Sequence, residues 1–340
     1  MQNKLFIISN ESIFNSKNSY FCDNLDMKTT PEGLKDKFDI NIIARSSKKE
    51  RSHKINSEKI KIHRNIIGFL FSIFQSFKDK NSKYLIISIS PYTFFGCILL
   101  ALFRKKPIVY LRSDGYEEYR SILGLLGPIF YHVMFFLASK ISRFISCSEN
   151  VLKGKKGDIV LPSQLTNKWF SSNKPADLSS IKLLYVGRIR VEKGIFFLLK
   201  LMKEIKEDIT LSVVGMEKNK NVKIIQNNVN VYEIETDEEK LINFYDEHNI
   251  FVLPSFTEGH PMALLESLAR LRPVIIFEEI KHVVGDKKGV FVSRRNPQSL
   301  LEKIQYIKNN YEKIQEDMKK NKLPLKQDFL KQFKTLILNR

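Results

Sequence analysis

The sequence predicts an α/β protein of two doubly wound domains, each a parallel sheet with helices on both faces. Three observations predict it. Short apolar runs recur along the chain with helix-length segments between them, the pattern of parallel strands joined by crossover helices. The runs fall into two series, separated by a stretch rich in Ser, Asn, Pro and Lys from Pro162 to Ser180. The length of 340 residues and an apolar share of 43% suit two domains with a core each.

In the first series, Leu5–Ser9, Ile40–Arg45, Tyr84–Ser90, Pro107–Leu111 and Arg143–Cys147 read as strands. The apolar N-terminal run is too short for a secretion signal and fits the first strand better. Leu85–Phe103 approaches the ~20 residues that span a bilayer. Ser88, Ser90, Pro91 and Gly96 interrupt it, so it reads as a strand, a turn at Pro91 and a buried helix over Thr93–Phe103. Ile122–Ala138 is as apolar, with Gly124, Gly127 and Pro128 inside. It reads for most of its length as a buried helix, the alternative being a face resting on a membrane.

The second series is plainer. Ile181–Gly187 is a strand ending in a turn, and Ile195, Leu198, Leu199, Met202 and Ile205 mark one helix face. Ile209–Gly215, Val229–Ile234, Ile250–Leu253, Pro273–Phe277 and Gly289–Val292 read as strands. Thr236-Asp237-Glu238-Glu239 is a capping box for a helix ending near Glu247. Asn296-Pro297 caps a helix carrying Leu300, Ile304 and Ile307. The expected domains are 1–165, a linker 166–180, 181–323, and a closing helix 324–340, with a ligand in the cleft between the domains.

Lys and Arg number 56 against 37 Asp and Glu, a net charge of +19. That balance favours a negatively charged partner. No zinc knuckle, recognition helix or aromatic-basic module supports nucleic acid. Eight of the basic residues lie between Arg45 and Arg64, against Glu50 and Glu58. This segment reads either as a solvated loop or as a docking site for an anionic membrane leaflet. Cys22, Cys97 and Cys147 are far apart, which excludes a disulfide framework and points to a reducing, cytoplasmic compartment.

Two motifs carry chemistry. Glu258 and Glu266 stand eight positions apart in Pro254-Ser255-Phe256-Thr257-Glu258-Gly259-His260-Pro261-Met262-Ala263-Leu264-Leu265-Glu266. The first falls in a loop after a strand and the second in the following helix, which begins near Pro261. Open α/β sheets bind nucleotides at such a place, and the free N–H groups of a helix start suit an anion. About seventy residues upstream, Gly187-Arg188-Ile189-Arg190-Val191-Glu192-Lys193-Gly194 also follows a strand and opens a helix. Arg188 offers a fork of donors for phosphate oxygens and Lys193 a point charge. A lone basic loop more often makes surface pairs; the downstream glutamates favour a diphosphate site.

Together with Arg272-Pro273-Val274-Ile275 and Gly289-Val290-Phe291-Val292, these motifs make the second half resemble a family 4 retaining glycosyltransferase (glycosyl transferases group 1) of the GT-B fold. That fold has two Rossmann-like domains facing a central cleft. The resemblance implies transfer of a sugar from a nucleotide diphosphate donor to a saccharide or lipid-linked acceptor in surface polysaccharide synthesis; the base could be uridine or guanosine, and a UDP-sugar is taken as the expectation over a GDP-sugar. Arg188 and Lys193 would hold the diphosphate beside Gly187 and stabilise leaving-group charge. Glu258 would bond the sugar hydroxyls and Glu266 the ribose hydroxyls. The stretch Gly259, His260, Pro261, Met262 and Ala263 would face sugar and phosphate. The chain has no Asp-x-Asp pair, so neither metal nor cofactor is expected. A sugar-nucleotide epimerase and a non-catalytic paralogue are the alternatives. The chain departs from the family in carrying Leu271 where Gly is usual, in lacking a Gly-rich loop after the first strand, and in placing Arg112 and Asp114 where a His is common.

Overall fold

The computed structural model describes residues 3–57, 59–79, 81–205, 208–217 and 226–339. Glu58 of the basic segment and Arg340 of the expected closing helix lie outside them. The chain divides into two units, Met1–Pro162 with Gln327–Arg340, and Ser163–Lys326.

The first unit holds a nine-stranded sheet among the described residues. Its first strand, Asn3–Ser16, pairs in parallel with Phe38–Ser47 and Lys83–Ile87. Side chains alternate across the sheet. Leu5 and Ile7 enter one core layer, while Phe6 and Ile8 enter the other. No loop follows Ser9. The strand continues through a register shift between Ile8 and Ser12, and its end pairs antiparallel with Ser19–Cys22. The sheet is therefore mixed rather than wholly parallel. The basic segment is likewise not a plain loop. It contains the strands His53–Ile55 and Ile60–His63, and Arg51 pairs with Asp23 and Lys59 with Asp39.

Helices cover both faces. Leu25–Leu34 and the C-terminal helix Lys326–Leu338 lie on one; Phe329, Phe333 and Ile337 are buried there with Phe333 against Tyr110. Ile66–Gln75, Pro91–Leu102 and Gly127–Ile141 lie on the other. The Ile122–Ala138 segment corrects the expectation of a buried helix. Gly124 at φ 61° ends the helix Gly115–Leu123, a 3-10 turn follows, and only 28% of the most apolar 18-residue window from Gly115 to Ile141 is buried. Periodicity alone cannot tell an apolar face against a sheet from one left open.

The second unit holds a parallel six-stranded sheet. With its strands counted in chain order, the sheet runs three, two, one, four, five, six. The order reverses between the first strand, Ile181–Val186, and the fourth, Ile250–Leu253, and a doubly wound sheet binds ligands at that reversal. Asp237, not Thr236, caps the helix Glu238–Glu247, accepting from Lys240 N. Residues 166–180, expected as a linker, belong to this unit; Trp169 is buried in it and most of the other side chains are exposed.

Two buried arginines explain that placement. Arg270 makes a two-pronged pair with Asp246 (2.9 and 2.8 Å), and its remaining donors reach the carbonyls of Trp169, Ser171 and Ser172. Arg272 donates to the carbonyls of Tyr245, Asp246, His248 and Lys174. Both are 1% exposed. Between them Leu271 takes the left-handed φ of 54°, which is why a glycine suits that position. Arg270→Met strands a buried carboxylate. It should cost the second unit about 3–5 kcal/mol, read from urea unfolding, whereas Arg294→Met at an exposed pair should leave the midpoint in place. Equal midpoints for the two variants would remove Arg270 from this role.

Candidate active site

The two motif loops leave the first and fourth strands of the second unit, on either side of the order reversal. Backbone geometry holds them together. Gly194 ends the 3-10 turn Val191–Lys193 at φ 66° and begins the helix Ile195–Glu204. A Cβ there would lie 1.8 Å from the Pro254 carbonyl oxygen, so only glycine permits both the turn and the approach. Phe256 N donates to the Glu192 carbonyl (3.0 Å).

Side chains then close the junction. Lys193 Nζ donates to Glu258 Oε1 at 2.7 Å, and Ser255 Oγ donates to the same oxygen at 2.6 Å. Glu258 is 11% exposed, yet Lys193 and Ser255 leave its second oxygen for another donor. His282 Nε2 donates to the Glu258 carbonyl (2.8 Å). Arg188 is fixed only at its backbone, where its carbonyl accepts from Tyr185 Oη (2.8 Å). Its side chain is exposed and has no ion pair among the described residues. With Arg190 beside Glu192 at 3.9 Å, the loop thus presents two engaged cations and, among the described residues, one available cation.

Past Glu258, the helix Met262–Ala269 starts with Pro261 at the capping position and no side-chain cap. The helix expected to begin near Pro261 thus starts at the residue after it. The first amides of the helix are therefore left to a ligand or solvent. Gly259, His260, Met262 and Ala263 are partly exposed around that start. Glu266 lies one turn further in, where Tyr245 Oη donates to its Oε2 at 2.8 Å. Burial pushes the Glu266 carboxyl up to about 7, and the Tyr245 hydrogen bond pulls it partly back. The structure brings Lys193, Gly194 and Glu258 into one junction. It places Arg188 on the rim of the same loop and Glu266 in the helix behind.

Arg295 is a residue that sequence reasoning missed. Its Nη2 donates to the carbonyls of Pro254 and Ser255 (2.9 Å each), and Nε pairs with Glu279 at 2.6 Å. The guanidinium stacks over Phe256 at 4.0 Å and Phe277 at 4.6 Å. It staples the Glu258 loop from below. In the sequence it is one of two adjacent arginines, and Arg294 beside it is exposed, so no local signal separated them. Arg112 and Asp114 of the first unit are engaged otherwise: Arg112 pairs with Asp26, and Asp114 caps a helix and pairs with Lys153.

Residues 167–323 match the family model described as Glycosyl transferases group 1. This stretch, a little under half of the chain, is similar to that family. A relative named capsular polysaccharide biosynthesis glycosyltransferase CapM, from Staphylococcus aureus, is 30% identical over 138 residues, 37% of this chain and 36% of CapM. The matches span less than half the length of the curated relatives. Sucrose-phosphate synthase from Thermosynechococcus elongatus superposes with a TM-score of 0.71 at 15% identity, covering 98% of both chains. HepE of Anabaena in complex with UDP-glucose gives a TM-score of 0.65 at 12% identity, over 97% of this chain and 94% of HepE. At such identities the likeness is one of fold, and that fold is GT-B.

In the second unit, Glu266 titrates with a signed effect. Its folded value lies above the ordinary 4.5. The stability it contributes is present in acid and is lost as pH rises toward 7. Glu266→Gln keeps the Tyr245 bond without that loss, so its melting temperature should gain on the wild type between pH 5 and pH 8. A constant difference across that range would contradict a raised Glu266.

Proposed function

We propose that this chain is a retaining, metal-independent glycosyltransferase. It moves a sugar from a UDP-sugar to a saccharide or lipid-linked acceptor in surface polysaccharide synthesis. One observation carries the reading: the two motif loops meet at the sheet's order reversal with Lys193 on Glu258 and Arg188 exposed beside them. In this reading the diphosphate lies between Arg188, Lys193 and the uncapped start of Met262–Ala269. As the sugar–phosphate bond breaks, negative charge grows on the nucleotide. Lys193, held by Glu258, and the helix amides favour that charge with little reorganisation, and Arg188 adds a second cation from the rim. Glu258 orients the sugar hydroxyls with its second oxygen while the first holds Lys193. Glu266 accepts from the ribose, and a ligand hydroxyl bonding to it favours its ionised form.

UDP is the favoured base because HepE is a structural neighbour bound to UDP-glucose. CapM supports the polysaccharide context. The proposed setting is the cytoplasm, peripheral to an anionic membrane surface.

The test is thermal stabilisation by UDP, GDP and their sugars in EDTA, on wild type and Arg188→Ala. A ligand at 100 times its dissociation constant stabilises by about 2.7 kcal/mol. UDP should shift the wild type and barely shift Arg188→Ala. The wild-type shift should also grow between pH 6 and pH 8 as Glu266 ionises. No shift with any nucleotide diphosphate sinks the reading, and a shift that appears only with a divalent cation sinks its metal-independent part.

A further inference from the structure

The helices Ile66–Gln75, Pro91–Leu102 and Gly127–Ile141 form one layer on the first unit's sheet. Their inner sides, including Phe69, Leu100 and Phe135, are buried. The first packs on the second and the second on the third, and Phe74 meets Phe103 across the first gap at 5.4 Å. Ordinarily the outer side of such a layer is polar. Here it is apolar: Ile67 is 77% exposed, Leu102 74% and Ile129 64%, with Phe71 and Phe136 also open, and Leu125, in the 3-10 turn leading into the third helix, is 88% exposed.

Charge narrows what can cover this face. Residues 66–78, 91–106 and 119–141 hold Lys78, Arg104, Lys105, Lys106, Arg120 and Lys140, and no Asp or Glu. At the border, Asp79 pairs with Lys4 and Glu117 with Arg120. Lys61, on the strand before the first helix, reaches Gln75 at that helix's end, and Lys140 and Lys155 both lie over the Phe136 ring. A second copy of this face would bring the same positive charge and repel it. Apolar side chains ringed by cations instead fit the boundary between headgroups and acyl chains of an anionic bilayer. The apolar run Gly115–Ile141 is long enough to span, but Gly124 and a 3-10 turn break it into two shorter helices. Gly127–Ile141 has 15 residues, about 22 Å of helix against a hydrocarbon core of about 30 Å, and one side of it is committed to the sheet.

We infer that this three-helix face docks the protein on the surface of an anionic membrane, its apolar side chains entering the interface and the basic residues around them meeting lipid headgroups. This deepens the peripheral-membrane part of the proposed function. It moves the contact from Arg45–Arg64, which exposes no large apolar side chain, to the adjoining helical face.

The test is sedimentation of the whole chain with vesicles of phosphatidylcholine alone or mixed with phosphatidylglycerol. Three variants accompany the wild type: Leu125→Gln with Ile129→Gln, Arg104→Gln with Lys105→Gln, and Lys48→Gln with Lys49→Gln and Lys54→Gln. All of these side chains project from the surface or its rim, and a melting curve checks each fold. The wild type should partition to anionic vesicles. The apolar double variant should bind about tenfold more weakly or worse. The Arg104/Lys105 variant should lose affinity together with part of its salt dependence. A wild type that stays in the supernatant overturns the inference. So does loss of binding in the Lys48 variant alone, or a dimer that the apolar variant dissociates. UDP stabilisation of the same samples separates the two claims. Nucleotide binding without vesicle binding leaves the transferase reading standing, and vesicle binding without nucleotide binding does the reverse.

Discussion

The second unit depends on burying two guanidinium groups completely. A buried charge is tolerated only when its partners are all in place, and Arg270 and Arg272 draw theirs from three separate stretches of chain. Arg270 needs Asp246 and the carbonyls of 169–172; Arg272 needs those of 174 and 245–248. The segment after the first unit, the helix Glu238–Glu247 and the helix Met262–Ala269 therefore have one relative placement. Trp169 adds to it, donating to Glu238 and packing on Tyr245 at 5.6 Å. Hydrophobic burial would bring these elements together in several ways, and the arginine donors select one.

That placement reaches the site through Tyr245. Its carbonyl accepts from Arg272 while its hydroxyl donates to Glu266. The carboxylate is thus held by a residue already fixed in the network, and its raised titration follows from the same burial. On the other side of the order reversal a different device works. Arg295, caged by aromatic rings, grips the carbonyls where the fourth strand ends, and Gly194 lets the first loop lie against them. Glu258 and Lys193 meet because both backbones are constrained before the side chains pair. A point charge on a flexible stem such as Lys193 gains most from this, since little else would restrict it.

Much of this was legible in the residues. The second half announces itself because its strands are continuous apolar runs bounded by glycine or proline, and its two motif loops sit at strand ends with Gly187, Gly194 and the glutamate spacing intact. Glu258, Glu266, Arg188 and Lys193 fell out of that pattern. Arg295, Tyr245 and the paired use of Arg270 and Asp246 did not. Each acts across distances of tens of residues, and nothing in the local sequence marks a buried arginine from an exposed one. In the first unit the strand centres were plain, but the strand through Ser16 and the antiparallel edge were hidden. Polar residues at Asn10–Ser12 and Asn15–Ser16 look like a loop until a neighbouring strand accepts them, and Lys17–Asn18 make the turn between the two strands.

The basic excess is the place where sequence and structure pull in different directions. Reading along the chain, positive charge concentrates at Arg45–Arg64, and a solvated or lipid-facing loop follows naturally. Folding puts Arg51 and Lys59 on Asp23 and Asp39 and turns part of that segment into edge strands. The three helices beside it carry fewer charges but no acid and an open apolar surface. A helix apolar on all sides normally means burial on all sides. The sheet covers one side of these helices and no described part of the chain covers the other. The same composition that reads as core in the sequence is thus, on its outer half, a surface matched to lipid rather than to water.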